Sequence, residues 1–171
     1  MNQHAEDQSF QVGDNVVYPT HGVGQITAEE VQVVAGIEMN VYVISFAKEK
    51  MVLRVPKSKA SRSGLRHLST KNGLEEMATT LKGRPRITKG MWSKRAQEYE
   101  RKINSGNIVS IAEVVRDLHP SVVDPDRSYS EKIIYELALS RLVVEYSLAA
   151  GMDKSAAQDK IVTILDYMKN E

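Results

Sequence analysis

The ten residues IEMNVYVISF, Ile37 to Phe46, decide how the first part of the chain folds. Tyr42, Ile44 and Phe46 fall on one side of an extended backbone, and Val41, Val43 and Ser45 fall on the other. Successive side chains of a strand point to opposite faces, so this alternation reads as a β-strand. Ala35-Gly36 precedes it and Ala47-Lys48-Glu49 follows it, both turn signals. Working outward, GVGQITAEEVQVV (22–34), FQVGDNVVYP (10–19) and KMVLRVP (50–56) carry similar β-rich patterning between short breaks. Short segments of this kind read as strands joined by hairpins. Four or five short strands bury little if left flat. The expected solution is a small, strongly twisted barrel of SH3 or Tudor type that closes the sheet on itself.

Near Thr70 the period changes from two to that of a helix. Asn72-Gly73 precedes LEEMATTLK, a short helix, and GRPRITKG (83–90) is a basic Gly/Pro loop. Trp92 to Asn104 reads as a helix stopped by Ser105-Gly106. Asn107 suits the cap of a helix in which Ile108, Ile111, Ala112 and Val115 recur at three- and four-residue steps. HPSVVDPD (119–126) reads as a break with two prolines. Ser128 and Glu131 have capping-box spacing for a long helix that runs to Gly151. Asp153 or Ser155 starts the last helix, with Ile161, Ile164, Leu165 and Met168 in one stripe. The expected class is α+β: a disordered tail over 1–9, a small β-barrel over 10–68, and a compact bundle of four or five helices over 69–171.

Composition narrows the chemistry. The chain has 171 residues, 42% hydrophobic and 26% charged, and suits a soluble globular protein. It has no cysteine, which excludes disulfides, thiolate metal sites and a cysteine nucleophile and fits a cytoplasmic setting. The first residues, MNQHAEDQS, lack the apolar core of a signal peptide, and no apolar run is long enough to span a bilayer. His4, His21, His67 and His119 stand at no metal-ligand spacing. There is no P-loop and no G-x-S-x-G elbow. His21-Gly22-Val23-Gly24 contains a bare G-x-G between strands, which reads as a tight turn with positive φ at a glycine. No metal, cofactor, catalytic residue or small-molecule substrate is expected, and the chain does not read as an enzyme.

Charge points to a different class. Net charge is +1, yet residues 82–102 hold eight basic residues against Glu98 and Glu100. A local basic block suggests an anionic partner, and a solvated helix face is the plainer reading. The only tryptophan, Trp92, lies within it. Trp92, Ala96, Tyr99 and Ile103 form one helical stripe, the signature of a core face. Trp92 also sits in the first turn, beside Lys94 and Arg95 and after Arg84, Arg86 and Lys89. An apolar ring among cations suits DNA: the cations neutralise phosphates, the ring wedges at a base step, and the helix N-terminus favours phosphate.

FQVGDNVVYPTHGVGQI (10–26), MVLRVP (51–56), WSKR (92–95), INSGN (103–107) and AEVVRDL (112–118) together resemble the CarD/CdnL family of bacterial transcription regulators. The first run also occurs in the polymerase-interacting module of transcription-repair coupling factors. The resemblance spans Phe10 to the last helix. It implies that the Tudor-like domain binds the RNA polymerase β subunit. It further implies that the helical domain meets promoter DNA at the upstream edge of the bubble, without sequence readout, and stabilises the open complex. On this resemblance Trp92 is the minor-groove wedge, with Lys94 and Arg95 on nearby phosphates; Arg86 and Lys89 join them on charge alone. Arg54 matches a polymerase-contacting arginine, and Val52 belongs to the same expected surface. A second such arginine of some members falls near Gln32 in this chain. The rival reading is a protein–protein adaptor that docks on polymerase and never touches DNA.

Overall fold

Ala35 and Gly36 both adopt positive φ, 52° and 76°, as the two-residue turn of a tight hairpin requires. That turn joins β2 (Gly22–Val34) to β3 (Ile37–Phe46), the longest pair of strands. In this computed structural model residues 9–86, 89–124 and 128–167 are described, with 121–123 as backbone only. Residues 1–8 of the expected tail, and Met168 of the expected last-helix stripe, lie outside the described residues. The chain divides into two compact units, Met1–Leu68 and Ser69–Glu171.

In the first unit β1 (Asn15–Tyr18), β2, β3, β4 (Met51–Pro56) and β5 (Arg66–His67) form one antiparallel sheet in the order β4-β3-β2-β1-β5. The inward side chains are those the alternation indicates: Tyr42, Ile44 and Phe46 of β3, with Val55 opposite Tyr42. One expectation is corrected. Hydrogen bonding does not close the sheet on itself, and β4 and β5 remain at its edges. Segments outside the strands cover the apolar face instead, for Phe10, Ala60 and Leu65 complete the core. A bulge at Thr27 shifts the β2–β3 register and bends β2. Gly22 takes φ 78° at the turn after Tyr18, as expected of the HGVG stretch. At Gly24 a Cβ would stand 2.7 Å from Ile44 Cγ2 and 2.8 Å from Phe46 Cε1, so two core side chains fill the space a larger residue would need.

The second unit holds α1 (Lys71–Leu81), α2 (Trp92–Asn104), α3 (Ile108–Val123), α4 (Tyr129–Ala150) and α5 (Lys154–Tyr167). Helix α3 packs on α1, α2 and α4, and Ala112, Val114, Val115 and Leu118 along it are fully buried. Several caps follow the sequence. Asn107 Oδ1 accepts from Val109 and Ser110 N–H at 2.9 and 3.1 Å, Asp153 Oδ1 accepts from Ala156 N–H at 2.7 Å, and Gly151 closes α4 in the left-handed conformation.

Three local expectations fail. Helix α1 starts earlier, at Lys71, because Thr70 Oγ1 accepts from Gly73 N–H, which places Asn72 and Gly73 in its first turn. Helix α3 runs through Pro120 to Val123 rather than breaking at His119. Proline forfeits one backbone bond, but neighbouring His119 is held by the Tyr135 hydroxyl at 2.8 Å and by Asp166 Oδ1 at 2.9 Å, which pins this end of α3 to α4 and α5. At the start of α4, Ser128 Oγ accepts from Ser130 N–H, but Glu131 faces Arg95 of α2 instead of completing a capping box.

Two outcomes follow. Gly24→Ala overpacks Ile44 and Phe46, and denaturant unfolding should show a loss of about 1–3 kcal/mol. Burial first, and the Asp166 carboxylate second, push the Tyr135 phenol up to about 12 from its ordinary 10.0. The unfolded phenol therefore ionises first, so this contribution is intact below pH 10 and is lost as pH rises towards about 12. Between those limits the wild-type chain should lose about 2–3 kcal/mol more stability than Tyr135→Phe in unfolding experiments.

Candidate nucleic-acid interface

Helix α2 carries the stripe read from the sequence, and the stripe resolves the two readings of Trp92 unequally. Tyr99 and Ile103 are buried in the core of the bundle, while Trp92 and Ala96 are half-buried and packed against it. The indole is therefore neither sealed inside nor clear of its own bundle. Its ring tilts 47° to that of Tyr99, with centroids 6.4 Å apart. Met91, the residue before it, is 69% exposed.

The basic block divides by what each cation touches. Arg101 pairs with Glu98 at 2.6 Å, and Lys102 reaches Glu113 of α3 at 2.9 Å. Arg95 turns inward. Its guanidinium lies 5.5 Å from the Trp92 ring centroid and 6.0 Å from that of Tyr99. Its Nη2 stands 3.6 Å from Glu131 Oε1, and the Arg95 side chain is only 16% exposed. Arg95, expected beside Lys94 at phosphates, is thus set against the indole in this conformation. Lys82, Arg84, Arg86, Lys89 and Lys94 are exposed, and among the described residues none forms an ion pair.

The loop that holds the exposed cations is tied down by its backbone. Asp117 Oδ1 of α3 accepts from Arg86 N–H at 2.9 Å and from Arg116 Nε at 2.8 Å. Asp117 is 9% exposed, so this anchor sits inside the unit while the Arg86 side chain stays outside. The N-terminus of α2 is open as well. Its cap residue Met91 makes no side-chain cap, and its first turn holds no acidic residue. Uncapped N–H groups with the positive end of the helix dipole behind them attract phosphate.

The second set of expected residues lies in the first unit. Arg54 stands opposite Val43, Val52 opposite Ser45 and Gln32 opposite Met39. Directly paired residues share a face, and Met39, Val43 and Ser45 have the parity opposite to Tyr42 and Ile44. All three residues are therefore on the outer side of the sheet. Arg54 Nε donates to Glu30 Oε2 at 3.1 Å, across β3, on the side where Val41 and Val43 are buried. Beyond Val41 strand β4 ends, and the β2–β3 ribbon continues as two strands with Val31, Val33, Val34 and Ile37 exposed. Among the described residues no group of His, Asp and Glu could hold a metal ion, and no helix is long and apolar enough to cross a membrane. Sequence reasoning missed Met91, whose only signal was its place next to Trp92, and Glu131, whose capping-box spacing suggested a different partner.

Comparison with known proteins agrees with this division. Residues 10–69 match the CarD-like/TRCF RID domain family, and residues 76–162 match the CarD C-terminal domain family. The chain is 31% identical over 143 residues to YdeB, a candidate transcription factor of Bacillus subtilis (strain 168), covering 84% of this chain and 94% of that protein. A solution structure of the 72-residue N-terminal domain of Myxococcus xanthus CarD is 34% identical over 34% of this chain and 79% of its own, with a TM-score of 0.31. The two family matches, one to the sheet unit and one to the helical unit, mark a transcription factor with an RNA polymerase-interacting domain. The chain belongs to the CarD family.

Proposed function

We propose that the protein bridges the β subunit of RNA polymerase and promoter DNA, and that it stabilises the open complex from the upstream edge of the bubble without reading sequence. The outer face of the sheet, through Arg54, Val52 and Gln32, is the polymerase side. Trp92 is the wedge, and Lys94, Lys89 and Arg86 take phosphates. One observation carries the reading: a single indole, half-buried on its own core, at an uncapped helix start beside exposed cations. A ring gripped on one side is a rigid wedge, because the protein does not have to order it again on binding. The protein acts by binding rather than by catalysis and works in the cytoplasm with the polymerase.

Two contacts on one chain reinforce each other through effective concentration, so each can be weak alone. A preference of about 1.4 kcal/mol for the open over the closed state raises their ratio tenfold. Free duplex should therefore bind weakly, and polymerase-held promoter well.

Trp92→Ala tests this directly. The variant should fold, with a loss of about 1–2 kcal/mol because only part of the ring is buried, and should still bind polymerase. The open-complex half-life should fall to that measured without the protein; an unchanged half-life would leave only the adaptor role. Arg54→Ala should weaken polymerase binding while costing under about 1 kcal/mol of stability, since its pair with Glu30 is exposed. If about four phosphates are contacted, log affinity for duplex should fall against log salt with a slope of roughly −3.6, and Lys94→Ala should reduce that slope by about 0.9.

A further inference from the structure

The bundle holds an ion pair that is poorly made by the usual measure. Glu131 is 4% exposed, yet its Oε1 lies 3.6 Å from Arg95 Nη2, longer than a charge-assisted hydrogen bond. Arg95 Nε and Glu131 Oε2 are buried, and among the described residues neither has a hydrogen-bonding partner. Leaving such atoms unmet is costly, so the arrangement calls for an explanation other than stability. The guanidinium supplies one. It lies near both the Trp92 and Tyr99 rings, and its Nη2 reaches the Tyr99 hydroxyl at 3.4 Å. Closing the pair to hydrogen-bond length would move the guanidinium relative to those rings.

We propose that Glu131 is a positioning residue: through Arg95, its carboxylate holds the indole of Trp92 in the orientation it presents to DNA. The carboxylate supplies the countercharge that keeps a guanidinium inside the unit. The guanidinium supplies a flat cationic surface against the indole. Without Glu131, Arg95 loses its countercharge on the inside and moves out to water. The indole then loses its support and either reorients or becomes mobile. This links the first turn of α4 to the first turn of α2, two places far apart in the chain. Its consequence for transcription rests on the wedge reading above, but the positioning itself can be read without DNA.

The only tryptophan of the chain is Trp92, so its fluorescence reports this site alone. Acrylamide quenching is measured on the full chain for wild type, Glu131→Gln and the double variant Arg95→Met/Glu131→Leu, and open-complex half-lives are measured for the same proteins and Trp92→Ala. The double variant removes both charges together, which a buried pair tolerates far better than the loss of one. The expected result is unchanged helix content by circular dichroism, a quenching constant raised about two-fold with the cation gone from the ring, and half-lives shortened towards that of Trp92→Ala. Wild-type quenching in the folded double variant overturns the proposal, since a pair that serves only stability is replaceable by apolar groups. If the charge-deleted variants do not fold, Arg95→Lys decides. It keeps the charge opposite Glu131 but loses the planar group, so raised quenching supports the proposal and unchanged quenching overturns it. Raised quenching together with a wild-type half-life for Trp92→Ala supports the positioning while rejecting the DNA wedge.

Discussion

The packing of one stripe on α2 governs the candidate site. A helix repeats every 3.6 residues, so the face that buries Tyr99 and Ile103 also carries Trp92, two turns earlier. The stripe reaches the end of the core before it reaches the start of the helix. What remains is an indole held on one side by the bundle and open on the other. An indole fully out would be mobile and prone to unspecific association. An indole fully in would be only a core residue. The half-buried state gives a rigid apolar edge without an unsupported aromatic surface.

The charges around it are arranged by the same logic of partial commitment. Arg101, Lys102 and Arg95 are paired within the protein. The exposed cations precede α2 or lie in its first turn, and Asp117 fixes the loop through the backbone of Arg86 without consuming the side chain. Acidic residues elsewhere in the chain bring the total near zero. A polymerase-dependent DNA contact suits such a protein, because a strongly cationic one would bind free duplex everywhere.

Much of this was legible in the sequence, for identifiable reasons. The alternation in Ile37–Phe46 placed the core face of the sheet. The bounds of α2 and the caps at Asn107 and Asp153 followed from local chemistry. The early start of α1 is set by its neighbour Thr70, but the other failures share a cause: each was decided by a residue distant in the chain. Pro120 stays helical because His119 is held by α4 and α5. Glu131 abandons its cap because Arg95 needs a countercharge. The sheet stays open because Phe10, Ala60 and Leu65 cover its apolar face. The orientation of Arg95 was not legible either, since helical spacing gives the face of a side chain but not its partner on another helix.

The central claim is that the indole touches melted promoter DNA while the sheet grips the polymerase. Site-specific photocrosslinking from position 92 tests it most directly. With a benzophenone amino acid in place of Trp92, irradiation of a polymerase–promoter complex should label DNA at the upstream edge of the bubble, and labelling should disappear when the promoter is held closed. Crosslinks to polymerase alone, or to DNA equally in both states, would contradict the account.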